Sequence, residues 1–544
     1  MRGLLCQLIA MAAVLYVASP SALAASGKGG GTTFLVSGQF EYEDKAWDFE
    51  GWTGEDPRLP IRFADVIVRD EARGKVIGRG MTDNFGEFSV ECSTKLQFVD
   101  LLVSVSAESR TRSKIDKTFP RLRVETPLRT VYSAFAPSVP GHPVGQDVDV
   151  GATTVLKSVL YGKEGNPFNV FDLAVNAFEY VTSPEVGLSR RSRSMRITWP
   201  SFMGSFSIGR RAWVATGDGY DDSVILHEIG HMVHNVYSDS DNPGGPHFFG
   251  DSDQDLRLSF GEGWATAFAG IVLDRMNMPA MYVDSKGSVQ MGGAQLYLDL
   301  ESAAPFDEES IGAGDEIAVA CVLYDLLDHD DLSADSFTDD DTMVGNVSVD
   351  GRSPTQAWWE VFTGPMRRAR HVNVNHAWDA WLQEYEQPEY SRLVDVFEDR
   401  DMEFWKDAWE PDDTPAEAVS IGPAELGDWS PDHTLYSQGE AQFGPGTGDR
   451  DWYAVELQVG QSIQIETRYP AGTSDAGTQA DPFLALYDPN GRLVAKDDDS
   501  GYRRNALLPE VIAGESGTWR FVVKSKNKRN RYGRYNVRVS VQGG

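Results

Sequence analysis

The sequence predicts a multidomain protein with a β-rich domain at each end and a mixed α+β domain between them. The chain has 544 residues, more than one hydrophobic core usually organises. Short alternating apolar segments, broken by Gly, Pro and Asp, fill residues 32–136 and 434–544, a pattern typical of antiparallel strands. Residues 150–409 contain longer segments with apolar residues at helical spacing, together with a few short strand-like runs.

The composition is that of a folded, acidic protein. Hydrophobic residues make up 41% of the chain, which also has 14 tryptophans, enough to build packed cores. The formal net charge of -33 at pH 7 argues against nucleic acid and anionic membranes as partners, because like charges repel. An acidic surface favours solubility, and it is equally compatible with a saline setting or with bound divalent cations.

Residues 1–24 have the pattern of a secretory signal peptide. Arg2 supplies the positive start, Leu4–Val17 the apolar segment, and Ala22-Leu23-Ala24 a small-residue cleavage site. We therefore expect a secreted, extracellular or periplasmic protein whose mature chain begins near Ala25. A membrane anchor is the weaker interpretation, because the apolar segment is short and a glycine-rich stretch follows it. We expect no membrane span elsewhere, since no other apolar run is long enough.

The three cysteines are too few for a disulfide framework. Cys6 falls within the predicted signal peptide, which leaves Cys92 and Cys321 in different predicted domains. We expect two separate buried thiols, and a single bridge is the alternative.

The N-terminal domain, residues 32–136, is predicted from its strands and turns, with a tight turn in MTDNFGEFSV. The run Ala64–Val68, followed by Thr82-Asp83 and Gly86-Glu87-Phe88, resembles the transthyretin-like, carboxypeptidase-regulatory family. This resemblance implies an antiparallel β-sandwich with an accessory, non-catalytic role. The Pro- and Gly-rich stretch 137–149 is predicted to be a linker.

The stretch Tyr220–Ser238 carries the chemistry predicted for the central domain. It contains His227, Glu228 and His231 in the pattern H-E-x-x-H, preceded by acidic residues that suit a helix start. In a helix both imidazoles lie on one face, where they can reach one metal ion, and Glu228 can take a proton from metal-bound water. Chance supplies at most about 0.02 such patterns in a chain of this composition. The alternative is an amphipathic helix whose histidines merely pack.

Glu262 completes the candidate metal site, because a catalytic zinc takes three protein ligands and keeps one position open. It lies in SFGEGWATAFAGIVLD, which has helical spacing. The H-E-x-x-H pattern followed by Gly261-Glu262-Gly263-Trp264-Ala265 resembles the gluzincin metallopeptidases. The GEGW motif is most similar to that of fungalysin-like members. The resemblance implies a Zn²⁺ cofactor, with ligands at His227, His231 and Glu262 and the general base at Glu228.

The resemblance also directs attention to residues around the metal. Thermolysin-type relatives carry an Asp four residues after the ligand Glu, where this chain has Thr266. Either the hydroxyl of Thr266 or another acid then orients a zinc histidine. Glu316 and Asp325, in a predicted helix, could face the site, or they could face solvent or cap the helix. His329 is the candidate for stabilising the oxyanion, since gluzincins use a downstream His or Tyr, and the alternative is a surface histidine in an acidic loop.

Other segments complete the central domain, which the resemblance makes an α+β, zincin-type domain with a mostly helical lower half. Two predicted strands, Met195–Trp199 and Ala212–Thr216, precede the metal helix. They could accept an extended peptide as a further strand, or they could form plain sheet core. The loop after the metal helix carries Asp251, Asp253 and Asp255, which either bind Ca²⁺ or form a solvated rim.

The C-terminal part begins with residues 410–433, acidic and Pro-rich, which are a linker or an extended lead into the last domain. In residues 434–544, Asp451-Trp452-Tyr453 and Tyr487-Asp488-Pro489-Asn490-Gly491 resemble the bacterial pre-peptidase C-terminal domain. The resemblance implies a β-sandwich of the kind found behind secreted proteases. Asp497, Asp498 and Asp499 either bind Ca²⁺ or form a polar turn.

These features predict a secreted zinc endopeptidase that hydrolyses protein or peptide substrates. Two alternatives stay open. One is an exopeptidase of the same clan, although the sequence shows no charged anchor for a substrate terminus. The other is a secreted binding or adhesion protein with a structural or degenerate zinc site, which would not need Glu228. No sequence feature predicts an oligomeric state.

Overall fold

The computed structural model divides into two compact units. The first contains the described residues up to Glu41, with Pro60–Ser106 and Ser133–Thr154, and the second contains Tyr42–Leu59, Ala107–Tyr132 and the described residues from Val155 onward. The described residues are 31–543 apart from residues 49–50, 189–192, 252–253, 285–295, 301–302, 304, 307–309, 328–353, 369–371, 385–395, 398–399, 403–406, 436–448, 471–479 and 527–532. His329 and Asp253 therefore lie outside the described residues.

The strands that precede the first long helix are shared between the two units. They are β1 (Thr32–Glu43), β2 (Trp47–Asp48), β3 (Gly51–Trp52), β4 (Arg58–Pro60), β5 (Asp65–Asp70), β6 (Lys75–Met81), β7 (Glu87–Thr94), β8 (Phe98–Ser106), β9 (Val124–Glu125), β10 (Ser133–Phe135), β11 (Val139–Pro143), β12 (Val148–Val155), β13 (Ser158–Leu160) and β14 (Lys163–Gly165). Of these, β2, β3, β9, β13 and β14 belong to the second unit. In the first unit one sheet joins β12, β1 and β7, and another joins β10, β11, β8, β5 and β6.

The core of the first unit follows from strict alternation. In β7 the side chains of Phe88, Val90 and Cys92 are buried and their neighbours are exposed, as expected for a strand with one face on the core. The two sheets approach closely at Gly78 of β6, where a Cβ atom would lie 2.5 Å from the Cys92 sulfur. The small residue in β6 therefore allows the sheets to pack face to face.

Local chemistry explains the predicted turn between β6 and β7. The carboxylate of Asp83 accepts hydrogen bonds from the backbone N–H groups of Phe85 (2.8 Å) and Glu87 (3.0 Å). Gly86 adopts a φ of 72°, in the left-handed region that favours glycine. The MTDNFGEFSV segment thus forms the turn that its residues predict.

The stretch 137–149 is part of a sheet, so the prediction of a linker there is wrong. Strand β11 pairs with β8, with Val139 opposite Leu101 and His142 opposite Val99. Pro and Gly are tolerated at irregular positions of such strands, and this pairing shifts register between Val139 and His142. The Pro- and Gly-rich composition predicted a loop here, but pairing with the distant strand β8 makes this segment a strand.

The centre of the second unit is a mixed sheet with helices. Its remaining strands are β15 (Arg196–Ser201), β16 (Phe206–Ile208), β17 (Arg211–Ala215), β18 (Met281–Asp284) and β19 (Leu296–Asp299). The sheet order is β16-β17-β15-β9, and β15 runs parallel to both β17 and β9. Strand β16 is antiparallel to β17. The sequence predicted β15 and β17 but not β16, which forms one end of the described sheet.

The helices of the chain lie mainly in this second unit. They are α1 (Arg112–Ile115), α2 (Pro167–Val181), α3 (Asp222–Tyr237), α4 (Leu256–Arg275), α5 (Glu316–Asp325), α6 (Pro354–Thr363) and α7 (Val374–Glu384), with 3₁₀ turns at Glu71–Arg73 and Met366–Arg368. Asn166 caps α2 by accepting a hydrogen bond from the Phe168 N–H, and Pro167 occupies its first turn. Asp255 caps α4 in the same way, through the Arg257 N–H.

Glycines set how closely the central helices pack. A Cβ at Gly230 of α3 would lie 2.9 Å from the Ala265 Cα and 3.1 Å from its carbonyl oxygen on α4. Trp264 donates its indole N–H to the Gly230 carbonyl at 3.1 Å, which fixes the two helices at that point. On the other side of α4, a Cβ at Gly263 would lie 2.7 Å from Val319 of α5. Helix α4 is therefore held between α3 and α5 at close backbone distance.

The C-terminal part of the second unit has two further sheets. Its strands are β20 (Val419–Ile421), β21 (His433–Leu435), β22 (Arg450–Leu457), β23 (Ser462–Arg468), β24 (Pro482–Tyr487), β25 (Leu493–Asp497), β26 (Leu507–Ile512), β27 (Gly517–Ser525) and β28 (Gly533–Gln542). The sheet orders are β20-β22-β27-β24-β25 and β21-β28-β23-β26. A shared apolar core that includes Tyr453 and Phe521, with stacked rings 4.8 Å apart, supports a β-sandwich-like domain.

Residues 410–433 lead directly into this domain. Strand β20 pairs parallel to β22, and the Trp452 N–H donates to the Asp412 carbonyl at 3.0 Å. Of the two interpretations of this segment, the extended lead into the last domain therefore agrees with the structure.

Two further sequence expectations concern thiols and membranes. Cys92 and Cys321 are both buried and free, in agreement with the expectation of two separate thiols. In the described part of the chain, none of the helices combines the length and the apolar character needed to cross a bilayer.

Replacing Gly230 with alanine tests the close approach of α3 and α4. The added methyl would overlap the Ala265 backbone, so we expect a loss of about 1–3 kcal/mol in the free energy of unfolding. Urea denaturation with a fluorescence readout measures this. Gly514→Ala is the control, because a Cβ there would meet open space. An unchanged unfolding midpoint for Gly230→Ala would contradict this packing.

Candidate metal centre

Two histidines of α3 and one glutamate of α4 converge at the interface between these helices. His227 and His231 lie one turn apart on α3, and their Nε2 atoms are 3.1 Å from each other. The Oε2 atom of Glu262 is 3.2 Å from His227 Nε2 and 3.1 Å from His231 Nε2. Three ligand-type atoms therefore form a nearly equilateral triangle.

The donor set fits a zinc ion by chemistry and by spacing. Two imidazole nitrogens and one carboxylate oxygen are ligands that zinc accepts in catalytic sites. Tetrahedral ligands with metal bonds of about 2.0 Å are separated by about 3.3 Å, close to the sides of this triangle. The ligand atoms of His227, His231 and Glu262 all lie within 4.8 Å of one another, close enough to hold one metal ion.

Burial and mutual contact perturb the titration of these groups. Burial lowers the pKa of His227 to about 4. Burial acts in the same direction on His231, but the Glu262 carboxylate outweighs it and raises the pKa of His231 to about 9. Burial would raise the pKa of Glu262, yet the two histidines hold it well below its usual range. The site thus holds an anionic carboxylate that is neutralised by a positive charge.

Glu228 is a buried carboxylate beside this triad. It lies on α3 next to His227, is 6% exposed, and its Oε2 atom has no hydrogen-bond partner among the described residues. Burial raises the pKa of Glu228 to about 8. Buried oxygens without partners are costly, so a carboxylate kept in this state is a candidate to bind or deprotonate a small polar molecule.

A second layer of hydrogen bonds orients the triad. The Thr266 hydroxyl is 3.0 Å from His227 Nδ1, so the threonine lies where the resemblance led us to expect an orienting group. The side-chain amide of Asn242 donates to Glu262 Oε1 at 2.9 Å, which leaves Oε2 directed at the histidines. Such outer partners fix the tautomer and the ring orientation of ligand histidines.

Glu316, which the sequence analysis named as a residue that could face the site, pairs with His247, and this pairing was not predicted. His247 Nδ1 is 2.9 Å from Glu316 Oε2, and His247 Nε2 is 3.8 Å from Glu262 Oε2. Glu316 is 2% exposed, whereas the His247 side chain is about one-third exposed at 35%. The hydrogen bond with Glu316 raises the pKa of His247. His247 lies in the loop between α3 and α4, and Glu316 begins α5, 69 positions later, so only the tertiary structure brings the two residues together.

A cavity of about 880 Å³ opens over these groups. It exposes His227, Glu228, His231, Glu262 and His247 to the same space. Strand β16, Asp218, Tyr282 and Asp284 also line this cavity. The candidate ligands, the buried carboxylate and a strand at the end of the described sheet therefore line one open cavity.

Several other predicted residues lie apart from this centre. His234 is buried against Phe260, Trp264 and Phe362, and burial lowers its pKa to about 3, which agrees with a packing role. Asp325 is buried on α5 and is not among the described residues that line the cavity. His329, the predicted oxyanion residue, lies outside the described residues, so that prediction is not tested.

The predicted calcium positions have local partners. Asp255 caps α4 and pairs with Arg257 at 2.9 Å. Asp497 accepts backbone hydrogen bonds from Ser500 and Leu507, which suits a polar turn, and Lys526 lies 3.0 Å from Asp499. Beyond the triad, acidic groups whose oxygens lie close enough to hold a cation are Asp218, Asp221 and Asp284; Glu410, Asp449 and Asp451; and Asp481, Asp498 and Asp499. Calcium binding stays a prediction.

Comparison with known proteins adds little to this geometry. No family model and no curated protein matches the chain. The pre-peptidase C-terminal domain of a collagenase from Bacillus anthracis is 17% identical over 23% of this chain and 98% of that domain, with a TM-score of 0.17. PliG of Aeromonas hydrophila, a periplasmic inhibitor of g-type lysozyme, is 15% identical over 23% of this chain and 96% of its own, with a TM-score of 0.16.

A 9R-lipoxygenase from Cyanothece PCC8801 is 16% identical over 28% of this chain and 25% of its own, with a TM-score of 0.15. TM-scores this low carry no argument about fold or function. The chemistry of the chain must therefore be argued from its own residues.

Replacing Thr266 with valine tests whether the hydroxyl orients His227. Valine keeps the shape but removes the hydrogen bond at Nδ1, so we expect Zn²⁺ affinity to fall by roughly 10- to 100-fold. Competition against a chromogenic chelator measures this. Thr363→Val is the matched control, because that hydroxyl bonds only the Trp359 carbonyl within α6. Equal affinity for both variants would mean that the Thr266 contact does not orient the ligand.

Proposed function

We propose that the chain is a zinc-dependent peptidase that hydrolyses internal peptide bonds of protein or peptide substrates. One observation carries the proposal: the buried Glu228 carboxylate, with an oxygen that lacks a partner, faces the same cavity as the His227, His231 and Glu262 donor set. A site with a purely structural metal has no use for such a group. The zincin-type α+β fold inferred from the sequence motifs belongs to this proposal.

The roles of the residues follow from their positions. His227, His231 and Glu262 would hold the zinc ion, and Thr266 and Asn242 would keep the ligands His227 and Glu262 in place. When bound there, zinc supplies a Lewis acid that polarises the scissile carbonyl and acidifies water. Glu228 accepts the proton of the attacking water and passes it to the leaving amine.

His247 is the proposed donor to the carbonyl oxygen that becomes negative during attack. Its Nε2 faces the Glu262 side of the donor set, and Glu316 anchors the other ring nitrogen. A raised pKa favours a proton on both nitrogens, so Nε2 can donate while Nδ1 stays bound to Glu316. His247 thus takes the role that the sequence suggested for His329.

The cavity wall supports an extended polypeptide as substrate. Strand β16 lies at one end of the described sheet order and lines the cavity, so its outer edge can pair with a substrate backbone. Main-chain pairing of this kind tolerates residues on both sides of the cleaved bond, which suits an endopeptidase. The predicted signal peptide and the two β-domains fit a secreted enzyme with accessory modules.

Substitution of Glu228 by glutamine tests the general base. Glutamine keeps the size but cannot accept the water proton, so we expect hydrolysis to fall at least 100-fold, toward 10,000-fold, with zinc retained. Elemental analysis checks that zinc is retained, and turnover of a quenched-fluorescence peptide measures the loss of hydrolysis. Glu360→Gln, at an exposed position of α6, should leave both unchanged.

Turnover by Glu228→Gln comparable with that of the wild type would contradict this mechanism. Zinc binding by the wild type without hydrolysis of casein or peptides would favour the alternative of a binding or adhesion protein. Peptides with blocked termini separate endopeptidase from exopeptidase action, since an exopeptidase needs a free substrate terminus.

Replacing His247 with alanine tests the proposed donor. We expect kcat to fall about 100-fold because one donor to the developing oxyanion is lost. Glu316→Gln should lose less, about tenfold, since the glutamine still accepts from Nδ1 but without charge. Steady-state kinetics with zinc quantified in each sample make the comparison. Parallel loss of zinc in His247→Ala would instead identify His247 as a metal ligand.

A further inference from the structure

A group of large apolar side chains projects into solvent at the mouth of the cavity. Tyr161, Phe202, Met203 and Ile208 are 81%, 69%, 85% and 67% exposed, respectively. We call these four residues the apolar rim. Folded proteins usually cover such side chains, and exposed apolar groups that lie together mark interaction surfaces.

The apolar rim combines residues of separate segments, of which Tyr161 and Phe202 meet in space. Tyr161 is in the turn between β13 and β14, and Phe202 is in the loop between β15 and β16. Their ring centroids are 5.4 Å apart at an interplanar angle of 79°, an edge-to-face pair. Met203 follows Phe202 directly. The fold therefore assembles this surface instead of scattering single apolar residues.

The backbone at Tyr161 indicates that the exposed ring has a use. Strands β13 and β14 are joined by a two-residue turn, with Leu160 opposite Lys163. Tyr161 has a φ of 53° and Gly162 a φ of 78°. Turns with two positive φ angles favour Asn or Gly at the first position, whereas a tyrosine there is strained. An aromatic residue at a strained and exposed position points to binding and not to stability.

The apolar rim is continuous with the cavity wall. Lys163, Gly204 and Ile208 line the cavity, and they neighbour Tyr161, Met203 and the end of β16 in the chain. Phe206 stacks on Trp213 of β17, with ring centroids 4.6 Å apart, and this contact holds β16 against the sheet. A polypeptide paired along β16 would therefore run from the Glu228 side of the cavity onto the apolar rim.

We propose that the apolar rim is a remote subsite that binds an aromatic or large aliphatic side chain of the polypeptide substrate, several residues from the scissile bond. This inference rests on the proposed function for the reaction, while binding at the rim is a separate property. Backbone pairing along β16 supplies affinity without sequence preference. The rim adds selectivity for an apolar residue at one fixed distance from the scissile bond. The Tyr161 and Phe202 rings offer an edge-to-face partner to an aromatic side chain.

Peptide binding to the full-length, zinc-loaded Glu228→Gln protein tests this proposal. The probes are fluorescent peptides of one polar sequence with a single Phe placed at successive distances from the centre, and the matched peptide with Ser. We expect one Phe position to tighten binding about tenfold over Ser in fluorescence anisotropy. The double substitution Tyr161→Ser with Phe202→Ser should abolish that gain. Ile512→Ser, equally exposed at 71% in the C-terminal part, is the matched control and should preserve it.

The outcomes separate this inference from the proposed reaction. A Phe preference that survives the double substitution, or no preference at any position, overturns the inference. Self-association of the chain that the double substitution abolishes also overturns it, because the occupant would then be a second copy. If the wild type hydrolyses no peptide but the position-dependent gain is present and lost in the double variant, the rim stands and the peptidase proposal fails.

Discussion

The close contact between helices α3 and α4 is the constraint on which the candidate centre depends. At Gly230 the α4 backbone comes so near that a methyl group would overlap Ala265, and the Trp264 indole locks the approach with a hydrogen bond. Only at this separation can Glu262 on α4 reach the two imidazoles on α3 at 3.1 and 3.2 Å. Gly263 allows the same closeness to α5, which carries Glu316. Small residues beside the candidate ligands thus set the geometry of the site.

Packing of this kind concentrates ionisable groups where water is scarce. Glu228, Glu262 and Glu316 are all largely buried, together with the imidazoles of His227 and His231. Buried charges are tolerated when they are paired, and Glu262 is paired with histidines and Asn242, while Glu316 is paired with His247. Glu228 is the exception, since one of its oxygens lacks a described partner. An unsatisfied buried carboxylate lowers stability, and its retention here is the physical argument for a chemical role.

The sequence predicted the elements better than their connections. Helix α3, the cap of α2, the turn at Asp83 and the strand-rich ends followed from local patterns of apolar and turn residues. The linker expected at residues 137–149 was wrong, because a Pro- and Gly-rich stretch can still pair at the edge of a sheet. Strand β16 was missed because three residues, Phe206–Ile208, are too few to show periodicity. The hydrogen bonds of residues 139–143 come from the distant strand β8, whereas β16 pairs with β17, the next strand in the chain.

In the candidate site, too, some residues followed from the sequence and others only from the tertiary structure. The sequence by itself identified His227, Glu228 and His231 as candidates through the H-E-x-x-H spacing, and the resemblance to gluzincins added Glu262 as the third candidate ligand. Only the tertiary structure decided the partners: the Thr266 hydroxyl on His227, the His247–Glu316 pair, and an edge strand with an apolar rim along the cavity. Ligands four residues apart share one helix face through local geometry. Glu262 and these other partners lie tens of residues from the α3 histidines or from each other, and they meet only because helices and sheets pack, which the spacing of residues in the sequence does not record.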